Sequence, residues 1–379
     1  MRSNRSVWHS GRPLGTGLCL FFAASLGAGV LPLPKIDLPK DSPVTMLSAD
    51  YGDSSETARG GATLLDLHAA LSLRNSGSRR IRGITVVVTA QEVTPGGKGS
   101  VTVTSLDVGP GETFPLRIDL RLLRPVQTGG AAPVALGLDG VLFDDLSFYG
   151  PDNLKSRRTL TVCEWEARRD RQYFKSLLSA GGPEKLRQEV LASLARQADR
   201  PDLDVQIVRG GRATNFEPER QVQFAFLHLP DAPVEPTDGM AHIAGNEARA
   251  PRLEVKNLSD RAVRYLEIGW ILKDARGRQF MAGSVPADLN LAPGEKTQIL
   301  RDTALKFPQR SGQPLSIEGM TGFVSSVEFA DGKVWIPSRT DLGDPQLQRV
   351  IAPSPEEQRL VQLYRKKGLN ALVEELKKY

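Results

Sequence analysis

Cysteine is almost absent: Cys19 and Cys163 are the only two in 379 residues, so no disulfide framework can staple this chain. Histidine is nearly as scarce, and the three beyond residue 30, His68, His228 and His242, show no metal-ligand spacing. With no His-Glu-x-x-His and no Cys-x-x-Cys, a zinc site lacks its ligands. A Gly-x-Ser-x-Gly elbow is also missing, which removes the commonest hydrolase cue. Gly96-Gly97-Lys98-Gly99 has the vocabulary of a phosphate loop but falls at a hairpin, without the helix that makes the anion site. Charge of one sign is lacking as well. The 49 basic and 44 acidic residues give +5, and setting aside Arg2, Arg5 and Arg12 leaves 46 against 44, or +2. So small a surplus argues against an electrostatic nucleic-acid binder.

Turn residues are abundant instead. Thirty-six glycines and 26 prolines, with 40% apolar and 25% charged residues, indicate a folded chain of short elements. Its length suits two or three domains. The one long apolar run, residues 14–31, follows a stretch carrying Arg2, Arg5 and Arg12 and ends in small residues such as Ala23-Ala24 and Gly27-Ala28-Gly29. These are the three parts of a secretory signal, assigned to residues 1–30. The rival is an uncleaved anchor, because 18 apolar residues can just span a bilayer core. After cleavage Cys163 is the sole cysteine and no integral membrane domain remains. Residues 31–43, with prolines at 32, 34, 39 and 43, read as an extended tether.

Two later regions share an order of landmarks. Leu73-Arg74-Asn75-Ser76, followed by Arg79, Ile81, Arg82 and Ile84, matches Val255-Lys256-Asn257-Leu258, followed by Arg261, Val263, Arg264 and Leu266. Gly109-Pro110-Gly111-Glu112 then matches Ala292-Pro293-Gly294-Glu295, and Phe143-Asp144-Asp145 with Tyr149 matches Phe329-Ala330-Asp331 with Trp335. Three blocks in one order predict a domain present twice, at 44–151 and 202–340. Inside each, the apolar period is two: Leu65, Leu67, Ala69, Leu71 and Leu73 in the first, Leu266, Ile268, Trp270 and Leu272 in the second. Such alternation predicts antiparallel strands with one buried face. Turn signals at Gly109-Pro110-Gly111, Asp274-Ala275-Arg276-Gly277 and Pro293-Gly294 divide six or seven short strands over about 100 residues, as in a β-sandwich.

This order of strands, with its asparagine at a strand end and its Pro-Gly-Glu turn, resembles the duplicated immunoglobulin-like modules of exported bacterial proteins. The cysteine and tryptophan core of antibody domains is absent. The resemblance implies sandwiches used for adhesion, assembly or scaffolding, with no catalytic residue to carry over.

Between the copies the period changes. Residues 152–201 form a helical linker: Thr159–Ser179 carries Val162, Trp165, Phe174 and Leu177, and after Gly182-Pro183 a stripe of Leu186, Val190, Leu191, Leu194 and Ala198 follows. The linker is either a packed spacer or a partner-binding hairpin anchored by Trp165 and Phe174. Residues 341–379 form a helical tail opened by the capping box Ser354-Pro355-Glu356-Glu357 and broken or bent at Gly368. Its stripe either folds back on the second sandwich or docks on a partner. The acid pairs Asp144-Asp145, Asp202 with Asp204, and Glu217 with Glu219 lack the spaced oxygens of a calcium loop.

The expected fold is therefore mainly β with α: two immunoglobulin-like antiparallel sandwiches joined by a helical hairpin, with a C-terminal helical tail. The expected role is a non-enzymatic, exported binding or scaffold protein, periplasmic or extracellular, with no cofactor and no metal. Its partner would be a protein or an envelope polymer, met through Trp165, Phe174, Tyr149 and Trp335. The alternative is a carbohydrate-binding or accessory module of an extracellular enzyme system, using exposed aromatics such as Phe148, Tyr149 and Trp335.

Overall fold

Strands alternate so regularly in sequence that the sheets can be built outward from two of them. The computed structural model describes residues 29–30, 34–92, 95–125, 134–199, 208–209, 218–300, 304–307 and 315–379. Nearly all of the segment read as a secretory signal, including Cys19, lies outside these residues, as do Asp202, Asp204 and Glu217.

The first β module contains β1 (Gly29–Val30), β2 (Lys35–Asp37), β3 (Val44–Asp50), β4 (Ser55–Arg59), β5 (Ala62–Asn75), β6 (Ile81–Thr89), β7 (Lys98–Val103), β8 (Thr113–Pro125), β9 (Ala135–Phe143) and β10 (Phe148–Tyr149). One sheet is organised on β5, which pairs with β3, β4 and β8; the other holds β10, β9, β6 and β7. Leu65, Leu67, Leu71 and Leu73 of β5 face Ile84, Val86, Val88 and Val141 of the second sheet in one apolar cluster. The alternate residues of β8, Arg117, Asp119 and Arg121, are exposed. Here the tether reading fails: Lys35–Asp37 pairs in parallel with β9, and Ile36 and Leu38 pack on the core. An edge strand between prolines can satisfy its backbone on one side only.

After helix α1 (Ser156–Asp199) the second module follows, with β11 (Val208–Arg209), β12 (Arg220–Gln223), β13 (Ala225–Phe226), β14 (Val234–Ala244), β15 (Glu247–Asn257), β16 (Val263–Asp274), β17 (Gln279–Leu291), β18 (Lys296–Ile299), β19 (Leu305–Lys306), β20 (Ile317–Phe329) and β21 (Val334–Trp335). Strand β15 pairs with β14, β18 and β19, and β16 lies between β17 and β20. As β2 runs parallel to β9, so β13 runs parallel to β20. Trp270, fully buried, meets Phe224 edge to face at 4.8 Å in the core.

Both modules are pinned by a buried asparagine. The Asn75 carboxamide donates to the carbonyls of Arg79 (2.8 Å) and Val108 (3.0 Å), and its oxygen accepts from Gly77 N at 3.0 Å. Asn257 donates to Arg261 O (2.8 Å) and Leu291 O (3.0 Å) and accepts from Ser259 N at 3.0 Å. The main chain of each closes on the Pro-Gly-Glu turn: Asn75 N to Glu112 O at 2.9 Å, Asn257 N to Glu295 O at 3.0 Å. Arg79 lies over Phe143 at 4.1 Å and Arg261 over Phe329 at 4.0 Å. Buried polar atoms must find partners, and an asparagine at a strand end satisfies the corner between two sheets.

The helices fold back on themselves. Gly182 has φ 70° inside α1, and Gly368 has φ 80° inside α3 (Pro355–Leu376). Glycine enters this left-handed region without steric cost. Glu189 acts on the Tyr173 hydroxyl, and Arg359 donates to Glu375 at 2.7 Å, contacts that a straight helix would hold about four and a half turns apart. Each helix is thus a hairpin. Phe174, Leu186 and Val190 of one pack with Leu360, Val361, Leu372 and Leu376 of the other. The tail therefore docks on the linker rather than on the second module. The linker's stripe is likewise buried by α3, and Leu191, expected within it, is 45% exposed. The short helix α2 (Pro345–Val350) instead covers the outer face of the second module, with Leu347 and Val350 against Ile271 and Phe323. No helix among the described residues is long and apolar enough to cross a membrane.

Candidate functional site

Helix α1 starts where the first module holds it. Asp139 of β9, buried, accepts from Asn153 N (2.9 Å), Leu154 N (3.3 Å) and the Ser156 hydroxyl. A carboxylate suits the positive end of a helix. One turn later Leu160 sits directly on Gly83, where an added methyl would come within 2.7 Å of its Cδ2. The other side of the same turn meets the second module through charge: Arg158 lies 3.5 Å from the Tyr265 ring centroid and donates to Glu328 at 2.5 Å. Glu328 also accepts from Arg264, and these cations hold its carboxyl below the usual range despite burial.

Two cavities flank α1 on the side of the second module. One, of about 540 Å³, is lined by Trp165, Arg157, Lys333 and Trp335 among others. Trp165 is 37% exposed, with the Arg168 guanidinium 5.5 Å from its ring. Trp335 is half-buried against the core, with an edge on the cavity. Two of the four proposed contact residues, 170 positions apart, thus share one groove. Tyr149 lies away from it, packed on the first core, with its hydroxyl 3.0 Å from Asp41. Phe174 has no surface to offer: it is fully buried in the helical core. Phe148 is pressed on Gly140, where a methyl would collide with its ring at 2.0 Å, and so makes a poor platform.

The second cavity, of about 530 Å³, lies between α1, the outer face of β16, β17 and β20, and the start of α3. Sequence reasoning did not find it, because its walls come from segments nearly 200 residues apart. Beneath it runs a buried ionic network. Asp170, fully buried, meets Arg169 (2.9 Å), Arg339 (3.3 Å) and the Ser354 hydroxyl (2.5 Å). Arg339 also meets Glu357 at 2.7 Å, which holds that carboxyl low against desolvation. Glu164 accepts from Arg168 and Arg171, and Arg171 lies 3.5 Å from Glu356. On the cavity wall, burial pushes Glu166 up to about 7, offset in part by Arg169 and reinforced by Asp170 and Glu267. Burial likewise pushes the Cys163 thiol up to about 12, where it is a poor nucleophile. His68 sits at the surface beside Asp119 (2.8 Å) and Asp66 (3.4 Å), and its pKa is raised chiefly by the Asp119 hydrogen bond. No cluster of three or more metal-ligating side chains occurs among the described residues.

No protein-family model matches the chain, and no curated protein matches it. Among solved structures it is similar to a β-glucosidase from Kluyveromyces marxianus at 9% identity, over 73% of this chain and 45% of that one, with a TM-score of 0.17. It is also similar to red sea bream transglutaminase at 11% identity, over 75% of this chain and 31% of that one, with a TM-score of 0.13. The chain spans less than half the length of either. Scores this low carry no argument about fold or activity.

Proposed function

We propose that this chain is a non-enzymatic, exported scaffold of the cell envelope, made of two immunoglobulin-like sandwiches from one duplicated module, that binds a partner protein through the Trp165–Trp335 groove. The observation that carries the reading is the convergence of two tryptophans from separate segments on one groove between helix and second module. Arg157 and Lys333 line the same groove, and neither has an ion-pair partner among the described residues. Aromatic rings beside unpaired cations suit an apolar, acidic segment, since tryptophan and arginine supply most of the energy in protein interfaces. The matched asparagine corners and the matched parallel strands support duplication, and they give a reason for rigidity rather than for chemistry. Export rests on the composition of residues 1–30.

The carbohydrate-binding alternative draws on the same two rings. A peptide library and a glycan array, both probed with the full chain, separate the readings. Selective capture of acidic, aromatic peptides, lost in Trp335→Ala and Trp165→Ala while circular dichroism is unchanged, supports the scaffold. Selective glycan binding lost in the same variants would replace it with the alternative.

A further inference from the structure

We propose that the second cavity, between α1 and the outer face of the second module, binds a small organic cation: an amine or guanidine on a short apolar stem. The case begins with a charge inventory of its walls. Arg339 is engaged by Glu357 and Asp170, Arg169 by Asp170, and Arg196 by Glu189 at 2.9 Å. Two wall carboxylates are left over. Glu166 on α1 and Glu267 on β16 have no ion-pair partner among the described residues, and each disfavours charge on its neighbours. Glu267 is held only by neutral donors, the Tyr265 hydroxyl and Ser284 Oγ at 3.2 Å.

A second observation comes from the adjacent strand. Ser326 of β20 is the cross-strand partner of Glu267, lines the same cavity, is 98% buried by its 2% exposure, and has a hydroxyl with no hydrogen-bond partner among the described residues. Buried hydroxyls are rarely left so. The register shifts between Glu267 and Ile268 on this strand pair, an irregularity of the kind that re-aims side chains at binding sites. A cation between the two carboxylates, hydrogen-bonded to Ser326, would satisfy all three groups. Val162, Met281, Phe323 and Leu342 supply an apolar wall for the stem. The volume of about 530 Å³ suits a small molecule.

Protonation gives the site a signature. Arg169 and Asp170 of its own helix and Glu267 across the cavity act on Glu166, while Glu189, Arg196, Arg339 and Glu357 line the same cavity. With Glu166 at about 7, seating a cation at neutral pH must expel roughly half a proton from it.

The test is calorimetric titration of the full chain with butylguanidinium and with its neutral counterpart butylurea, in two buffers of different ionisation enthalpy. Butylguanidinium is expected to bind and to release protons; butylurea is not. Glu166→Gln and Glu267→Gln should each weaken binding by about tenfold or more, and Glu166→Gln should abolish the buffer dependence. Trp165→Ala, in the other groove and on the exposed side of α1, should leave binding unchanged, so failure of the partner reading and failure of this one are distinguishable. Should Glu267→Gln fail to fold, Glu166→Gln and Ser326→Ala carry the decision. No binding at millimolar butylguanidinium, equal binding of butylurea, or binding unaffected by Glu166→Gln would overturn the proposal.

Discussion

The two β modules show corresponding faces to the same turn of α1 and receive it differently. Eight residues beyond its buried asparagine the first module has Gly83, and eight beyond its own the second has Tyr265. Two residues further on stand Thr85 and Glu267. On the first module Leu160 seats directly against the glycine backbone, and Thr85 is buried with its hydroxyl 3.1 Å from that of Thr102. On the second, the Tyr265 ring and Glu328 meet the helix through Arg158, Glu267 stands beside them, and the two cavities are lined by these glutamates. Small side chains close one interface into packing. Larger charged ones hold the helix off the other, and both cavities are lined mainly by the second module and α1. Both modules carry a buried-asparagine corner, and the difference lies in the residues that follow it.

The sharpest way to break this comparison is to remove what clamps the helix in place. Phe174→Ala should cost about 3–5 kcal/mol, the usual range for a buried aromatic, read as an earlier urea transition. Leu191→Ala, on the exposed side of the same hairpin, should stay within about 0.5 kcal/mol.

Glu166 sharpens it through pH. Its folded value of about 7 lies above the unfolded value of 4.5, so the folded state holds the extra proton between them. Stability from this group is therefore present at low pH, declines as pH rises from about 4.5, and is lost above about 7. Glu166→Gln should remove that decline, a relative gain of about 2–3 kcal/mol between pH 5 and pH 8. Parallel stability–pH curves for the two proteins would show that the carboxyl is not desolvated.

Gly83→Ala should cost about 1–3 kcal/mol by overpacking against Leu160. Tyr265→Phe should cost less, about 1 kcal/mol, since it removes one hydroxyl from Glu267 and keeps the ring under Arg158. Equal costs at the two positions, by thermal denaturation, would mean that the helix meets both modules alike.

Much of the β structure was legible because alternation reports burial locally: each apolar residue named on β5, β6 and β16 lies in a core. The asparagine corners were visible as landmarks, since a buried carboxamide needs its turn and its neighbouring strand at fixed offsets. Phe174 was misread because a lone aromatic on a polar background looks exposed until α3, 180 residues away, covers it. The same distance hid the helical core, whose two stripes bury each other. Lys35–Asp37 was hidden because a short edge strand between prolines leaves no period to count. Trp165 and Trp335 could each be singled out, but their shared groove depends on how a helix stands off a sheet, and no local pattern encodes that.

The central claim is that the paired helical hairpins lock the two modules into one body, tight on the first and propped open on the second. Small-angle X-ray scattering on Phe174→Ala/Leu360→Ala tests it most directly, under conditions where circular dichroism shows both modules still folded. The account predicts a larger radius of gyration and a broader distance distribution than in the unaltered protein. A superimposable scattering curve, with the helical core melted, would contradict it.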